Sequence, residues 1–166
     1  MMRLLVRFLK EIEQLEVAGK TIGPFESGER AELPSWEADV FEGEGLAEVE
    51  PLSPIELKKR ILAEEIDQSL QQLPPAFYEQ VRHTLKDLKR KGDRIGYDQM
   101  VTQLKSLLSR RIVKLLRFVL SPEDLPELPP EEKFLVNILS PLTERWIEDV
   151  MRAGEEVTRA DAEEPV

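Results

Sequence analysis

Ser53-Pro54-Ile55-Glu56 is where the chain changes character. Ser53 has the short hydroxyl side chain of a helix N-cap, Pro54 suits the first helical position because its missing N–H would have no partner there, and Glu56 stands at the capping-box position. Ile55, Leu62, Ile66, Leu70 and Leu73 then recur at helical spacing, which predicts a helix of about 18 residues that Pro74-Pro75 stops. A second helix is expected over 77–91, ending at Gly92. A third is expected over 97–119, with Val101, Leu104, Leu108, Ile112, Leu115 and Val119 as its apolar face and Lys105, Arg110, Arg111, Lys114 and Arg117 mostly elsewhere on the wheel. Ser121-Pro122-Glu123-Asp124 reads as a short turn. Pro129-Pro130-Glu131-Glu132 opens a last helix through Phe134, Leu135, Ile138, Leu139, Leu142, Trp146 and Ile147, which Pro141 should kink or split. From about Gly154 the chain is acidic and lacks large apolar residues, so the helix is expected to give way to a fraying tail.

Upstream of Ser53 the period is shorter. Gly19, Gly23-Pro24, Ser27-Gly28, Pro34, Gly43 and Gly45 punctuate short apolar stretches, which predicts strands at 4–9, 15–22, 30–33 and 46–49 with a helical turn near 35–40. Residues 4–15 also fit an amphipathic helix by spacing. The expected fold is α+β and mostly α. It consists of a small β-rich domain over 1–52, a helical bundle domain over 53–152 and an acidic tail over 153–166. About 50 residues make a small core, so the β domain must share core with its neighbour.

Composition removes most chemistry. The 166 residues include no cysteine and one histidine, His83, which excludes disulfides, thiolate and multi-histidine metal sites and a cysteine nucleophile. His83 reads as a surface or half-buried helix residue. The pairs Glu64-Glu65, Glu131-Glu132, Glu155-Glu156 and Glu163-Glu164 read as solubilising charge, since neighbouring helix positions point about 100° apart while an acid/base couple needs facing carboxylates. Gly19-Lys20-Thr21 lacks the upstream glycine of a phosphate-binding loop, because position 14 is Gln. No enzyme, cofactor or metal site is expected. No apolar run reaches the length of a membrane span, and the opening Met1-Met2-Arg3-Leu4-Leu5-Val6-Arg7 is charged too early for a secretory signal, so the expectation is a soluble intracellular protein. Asn137 is the single asparagine, a bias that thermophile proteins tend to show.

The net charge of −10 is unevenly placed. Residues 1–81 carry 8 Lys+Arg against 17 Asp+Glu, residues 82–117 carry 11 against 3, and residues 118–166 carry 4 against 13. A basic centre between acidic flanks suits ionic contacts with the chain's own flanks, with a partner protein, or with DNA. The stretch 77–111, with Gly92-Asp93-Arg94-Ile95-Gly96 as a tight turn before a basic helix, gives a rival reading as a helix-turn-helix transcription regulator. Against it, the third helix is long and its cations cluster in the C-terminal half, whereas recognition helices read bases from their N-terminal part.

Three stretches resemble the GINS replication-factor family, in the class that places a small β domain before the helical one. Leu15-Glu16-Val17-Ala18-Gly19-Lys20-Thr21-Ile22-Gly23-Pro24-Phe25 is similar to that class's strand-turn ending in Gly-Pro-Phe. Ala31-Glu32-Leu33-Pro34-Ser35-Trp36 is similar to its strand, Pro-x-Trp and helix entry, and residues 46–51 lead into the first long helix. Leu107-Leu108-Ser109-Arg110-Arg111-Ile112-Val113-Lys114-Leu115-Leu116 resembles the family's Arg-x-x-Lys-Leu helix, with Arg111, Lys114 and Leu115 at the matching positions.

The resemblance implies an archaeal GINS subunit, the counterpart of the second and third eukaryotic Psf subunits. It implies no catalytic activity, and assembly with a paralogous subunit of reversed domain order, usually as a two-plus-two heterotetramer. It implies contact with the MCM helicase and a RecJ-like protein at the fork, contact with DNA that is indirect or weak, and a cytoplasmic, nucleoid-associated location without a membrane role. Gly23, Pro24, Phe25, Pro34, Trp36, Arg110, Arg111, Lys114 and Leu115 are then the expected interface or structural-motif residues. Phe25 and Trp36 are expected to pack within the β domain or to fix it on the bundle. The acidic stretch 37–44 argues against a DNA role for the β domain. Apolar residues beyond one face, Leu57, Ile61, Leu107, Leu116 and Phe118, suggest burial against another chain. Charge reversal at Arg111 and Lys114 is expected to break the assembly without unfolding the subunit.

Overall fold

A computed structural model describes residues 3–17, 19–121 and 125–162. Among them the chain forms five strands and five helices: β1 (Arg3–Phe8), β2 (Leu15–Val17), β3 (Lys20–Ile22), β4 (Arg30–Pro34), α1 (Ser35–Gly43), β5 (Ala47–Val49), α2 (Pro54–Ile66), α3 (Phe77–Lys91), α4 (Arg94–Val119) and α5 (Pro130–Ala162). The fold is α+β and mostly helical, with the small strands first and the bundle after them.

Period two decides the first segment. Leu4, Val6 and Phe8 are buried while Arg3, Leu5 and Arg7 face out, so β1 is a strand with one wet face and the helical alternative for 4–15 is not adopted. It lies between β4 and β5, antiparallel to both, with Val6 opposite Ala31 on one side and Val49 on the other. The expected strand 15–22 is folded on itself as the hairpin β2–β3, turning at Gly19, whose φ of 76° suits glycine. Phe25 returns to pair with Ile12 and stacks on Phe8 with ring centroids 4.0 Å apart; Phe41 of α1 meets Phe8 edge-on at 5.6 Å. These rings, with Leu33, Ala38 and Ala47, form the core of the β region.

The helical half departs from expectation in two ways. First, α2 stops at Ile66 rather than reaching the prolines. Asp67 leaves helical geometry and its side chain accepts the Ser69 N–H, while Lys114 Nζ donates to the Glu64, Asp67 and Ser69 carbonyls, so the helix end is satisfied without further turns. Second, the buried faces are the predicted ones only in part: Leu73, Leu115 and Val119 are buried as expected, and other positions are not. On α2 the core side is Leu57, Ile61 and Glu64, leaving Ile55, Leu62 and Ile66 exposed. On α4 it is Met100, Leu107, Arg111, Leu115 and Val119, while Leu108 and Ile112 of the predicted face are exposed. A buried charge on each helix turns the true face away from the most apolar line.

The helix ends follow local chemistry. Ser53 Oγ accepts the Glu56 N–H at 3.1 Å, and the Glu56 carboxylate turns to Arg60 instead of closing the box. Ser53→Ala should cost about 1 kcal/mol, read as a lower urea midpoint at unchanged slope. Gly92, at φ 72°, closes α3 as expected. α4 begins at Arg94, earlier than expected, because Asp93 caps it by accepting the Gly96 N–H at 2.9 Å. α5 remains one helix across Pro141, and it runs to Ala162 where a tail was expected from about Gly154. One glycine costs about 1 kcal/mol in a helix, and the surrounding Ala, Glu and Arg are good helix formers. Of the expected turn at Ser121, residues 122–124 lie outside the described residues, as do residues 163–166 of the tail. No described helix is long and apolar enough to cross a membrane.

Candidate assembly site

The Arg-x-x-Lys-Leu stretch of α4 lies inside the chain. Arg111 is 1% exposed, among the lowest exposures of any charged residue here, and it is flanked by Glu64 of α2 and Glu132 of α5, which are also buried. Its Nε and Nη2 donate to the two oxygens of Glu132 at 2.6 and 2.7 Å, a bidentate pair, and its Nη1 donates to Glu64 Oε1 and to the Gln71 carbonyl. Lys114 Nζ donates to the other Glu64 oxygen at 2.6 Å. Tyr78 of α3 donates its hydroxyl to Glu132 Oε1 at 2.5 Å, and the Gln71 N–H reaches Glu64 Oε1 at 3.1 Å. Two cations and two carboxylates make the cluster neutral, and it joins α2, α3, α4, α5 and the segment after α2.

Neutrality and full hydrogen bonding are what permit such burial, since an unpaired charge inside the protein is costly. Burial disfavours the charged form of Arg111, but the hydrogen bonds and charge of Glu132, then the charge of Glu64, outweigh it and hold the guanidinium above its usual range. Burial, then the hydrogen bond and charge of Glu132, push the Tyr78 phenol far above its usual value. The unfolded chain releases that proton near pH 10 and the folded chain does not, so stability is complete below about pH 10 and falls as pH rises past it. Alkaline unfolding should therefore show a steeper loss of stability above about pH 10 for the wild type than for Tyr78→Phe. Equal slopes would show that the phenol is not held in this way.

The geometry places the other expected residues separately. Leu115 packs in the core with Val119 and Val136. Arg110 reaches Glu65 at 3.3 Å on the surface. Phe25 belongs to the β-region core, Gly23-Pro24 is a cis peptide leading into it, Pro34 ends β4, and Trp36 is half-buried at the start of α1. The motif thus divides into a buried α4 part and a β-region part with no shared site. Glu64, Glu132 and Tyr78 were not expected to matter. In each of the pairs Glu64-Glu65 and Glu131-Glu132 one glutamate is buried, so only its neighbour is solubilising. The inward placement of Arg111 and Lys114 also takes two central cations from the helix-turn-helix reading.

An apolar line runs along the exposed surface of both α4 and α5. Leu108, Ile112, Leu116 and Leu120 are exposed at steps of four along α4 and its end. On α5, Phe134, Ile138, Leu142, Trp146 and Val150 are exposed at the same step, with exposures of 43% to 67%. From residue 144 to 153 every residue of α5 is exposed, so about 15 Å of helix stands clear of the body. Steps of four are the ridges that interlock when helices pack. Of the residues expected as apolar surplus, Leu57, Ile61 and Leu107 are core, Phe118 is half-buried and Leu116 is exposed.

Comparison with protein families matches residues 54–151, more than half of the chain, to the GINS complex protein helical bundle domain, Sld5. No curated protein matches the chain.

Proposed function

This chain belongs to the GINS complex protein family, and we propose that it is the archaeal subunit in which the β region precedes the bundle, serving for both the second and third eukaryotic Psf types. As a GINS subunit it takes part in DNA replication, and in this reading it does so by assembly and not by catalysis. Its partner is a paralogous GINS subunit with the reversed order of domains, and two copies of each form a tetramer. That complex bridges the MCM helicase to a RecJ-like protein at the fork, in the cytoplasm beside the nucleoid, and touches DNA weakly or through its partners.

The observation that carries the proposal is the pair of exposed step-of-four apolar stripes on α4 and α5. Each large side chain moved from water into an interface is worth about 1.5–3 kcal/mol, and an unaccompanied chain has nothing to set against their exposure. Arg111 supports assembly indirectly, by tying α5 to α4 through Glu132, and Lys114 does so by closing the end of α2 beside it. The expectation that reversing their charge would spare the fold is replaced: those residues hold the subunit itself together.

The test is size-exclusion chromatography with light scattering on this chain, alone and co-expressed with the reversed-order paralogue of the same genome. A mixed particle of four chains is expected. A monomer or homodimer that ignores the paralogue would refute the proposed assembly.

A further inference from the structure

His83 of α3 is a half-used group at the junction of the β region and the bundle. Its side chain is 10% exposed, and among the described residues it makes no hydrogen bond. Three carboxylates surround it. Nε2 lies 3.6 Å from Asp39 Oδ1 and 3.7 Å from Glu79 Oε1, while Nδ1 lies 3.5 Å from Glu42 Oε2. Asp39 and Glu42 are one turn apart on α1, and Glu79 and His83 one turn apart on α3, so two packed helices each present two metal-ligating residue types to one spot.

We propose that His83 Nε2, Asp39 and Glu79 bind a divalent transition-metal ion, with Glu42 orienting the ring through Nδ1–H, and that the ion clamps α1 of the β region onto α3. The separations favour an ion over a simple imidazolium contact. A charge-assisted hydrogen bond is about 2.7–2.9 Å long, shorter than any of the three distances. Ligands about 2.0–2.2 Å from one tetrahedral ion lie roughly 3.3 Å from each other, close to the 3.6 and 3.7 Å found. Asp39, Glu42 and His83 each offer an atom within 4.8 Å of the others, while Glu79 stands outside that close set at 3.7 Å from Nε2, so the exposed Asp39 carboxylate must swing towards Glu79 for the two to share an ion.

Charge and access agree. Glu79 gives its Oε2 to Arg82 and keeps Oε1 towards the ring. α1 carries Asp39 and Glu42 in its C-terminal half with no basic residue in its last turn, so the negative end of its dipole adds to their demand for a cation. Two carboxylates and a neutral imidazole balance a dication. A carboxylate accepting from the other ring nitrogen is the usual outer partner of a metal-bound histidine. A cleft of ≈ 600 Å³ of mixed charge, lined by Glu42 and His83 and also by Arg7, Arg90 and Lys91, opens the Glu42 side of the ring to solvent, and the exposed Asp39 opens the Nε2 side. Imidazole among the donors selects Zn²⁺ over Mg²⁺.

The lone histidine makes the test direct. The 166-residue chain, stripped with chelator, is titrated with ZnCl₂ and separately with MgCl₂ by calorimetry, and the imidazole is followed by NMR. One Zn²⁺ per chain is expected, bound at least ten-fold tighter than Mg²⁺, with displacement of the imidazole signals and a higher melting temperature. His83→Gln and Asp39→Asn should each weaken Zn²⁺ binding by about 10- to 100-fold. Asp39 is exposed, so its variant keeps the fold as judged by circular dichroism even if the histidine variant does not. Unmoved imidazole signals, or equal affinity in wild type and Asp39→Asn, would overturn the proposal and leave only diffuse binding by an acidic surface.

Discussion

Arg111→Ala should lose about 3–5 kcal/mol of folding stability, the largest effect expected of any single truncation in this chain. Removing the guanidinium leaves the buried Glu132 carboxylate with the Tyr78 hydroxyl as its only remaining donor among the described residues and no charge partner, takes one of Glu64's two cations, and leaves the Gln71 carbonyl without its donor. Domains of this size have about 5–15 kcal/mol in total, so the variant is expected to be partly unfolded at 37 °C. Arg111→Lys should recover little, since a lysine cannot bind Glu132 through two parallel N–H groups. Guanidinium unfolding followed by circular dichroism reads the difference. The combined replacement Glu64→Gln, Arg111→Met, Lys114→Met and Glu132→Gln should be less damaging than Arg111→Ala alone, because it removes all four charges together. If Arg111→Ala cost under about 1 kcal/mol, the cluster would be a surface-like ornament of the fold and not its joint.

Leu142→Glu with Trp146→Glu should do the reverse, abolishing assembly while leaving the subunit folded. Both side chains are exposed, at 60% and 64%, and both lie on the outward stripe of α5. Within an assembled interface each would place a carboxylate in an apolar contact, so affinity for the sister subunit should fall on the order of 100-fold or more. The melting temperature of the isolated chain should change little, since neither residue belongs to a core cluster. A folded double variant that still formed the mixed complex would place the interface elsewhere.

The contrast between these two variants follows what was and was not legible in the sequence. The strands near Leu4, Arg30 and Ala47 and the bounds of α3 were readable, because alternation, Pro and Gly act locally. The core faces of α2 and α4 were readable only in part, at Leu104, Leu115 and Val119 of α4. Hydrophobic periodicity assigns the most apolar line to the inside, and here Glu64 and Arg111 take inside positions while Ile55, Leu62, Leu108 and Ile112 go outside. That inversion comes from two facts that periodicity does not carry. Charges that satisfy one another can be buried, and a chain with a partner keeps apolar lines for it. A sequence signal existed in hindsight: Glu64 sits on the same helical line as Leu57 and Ile61, and Glu132 follows the paired prolines at the start of α5. His83 posed the same difficulty. Counting imidazoles and thiols removed thiolate and multi-histidine sites, and it could not show that Asp39 and Glu42 of α1 come to stand beside the ring.

The central claim is that the outward faces of α4 and α5 are covered by a sister GINS subunit. Hydrogen–deuterium exchange of this chain, alone and with the paralogous subunit, tests it most directly. The expected result is slowed exchange over residues 108–120 of α4 and 134–153 of α5, with smaller changes in β1, β4 and β5. Complex formation with protection confined to the β region, or with none on α5, would contradict the account.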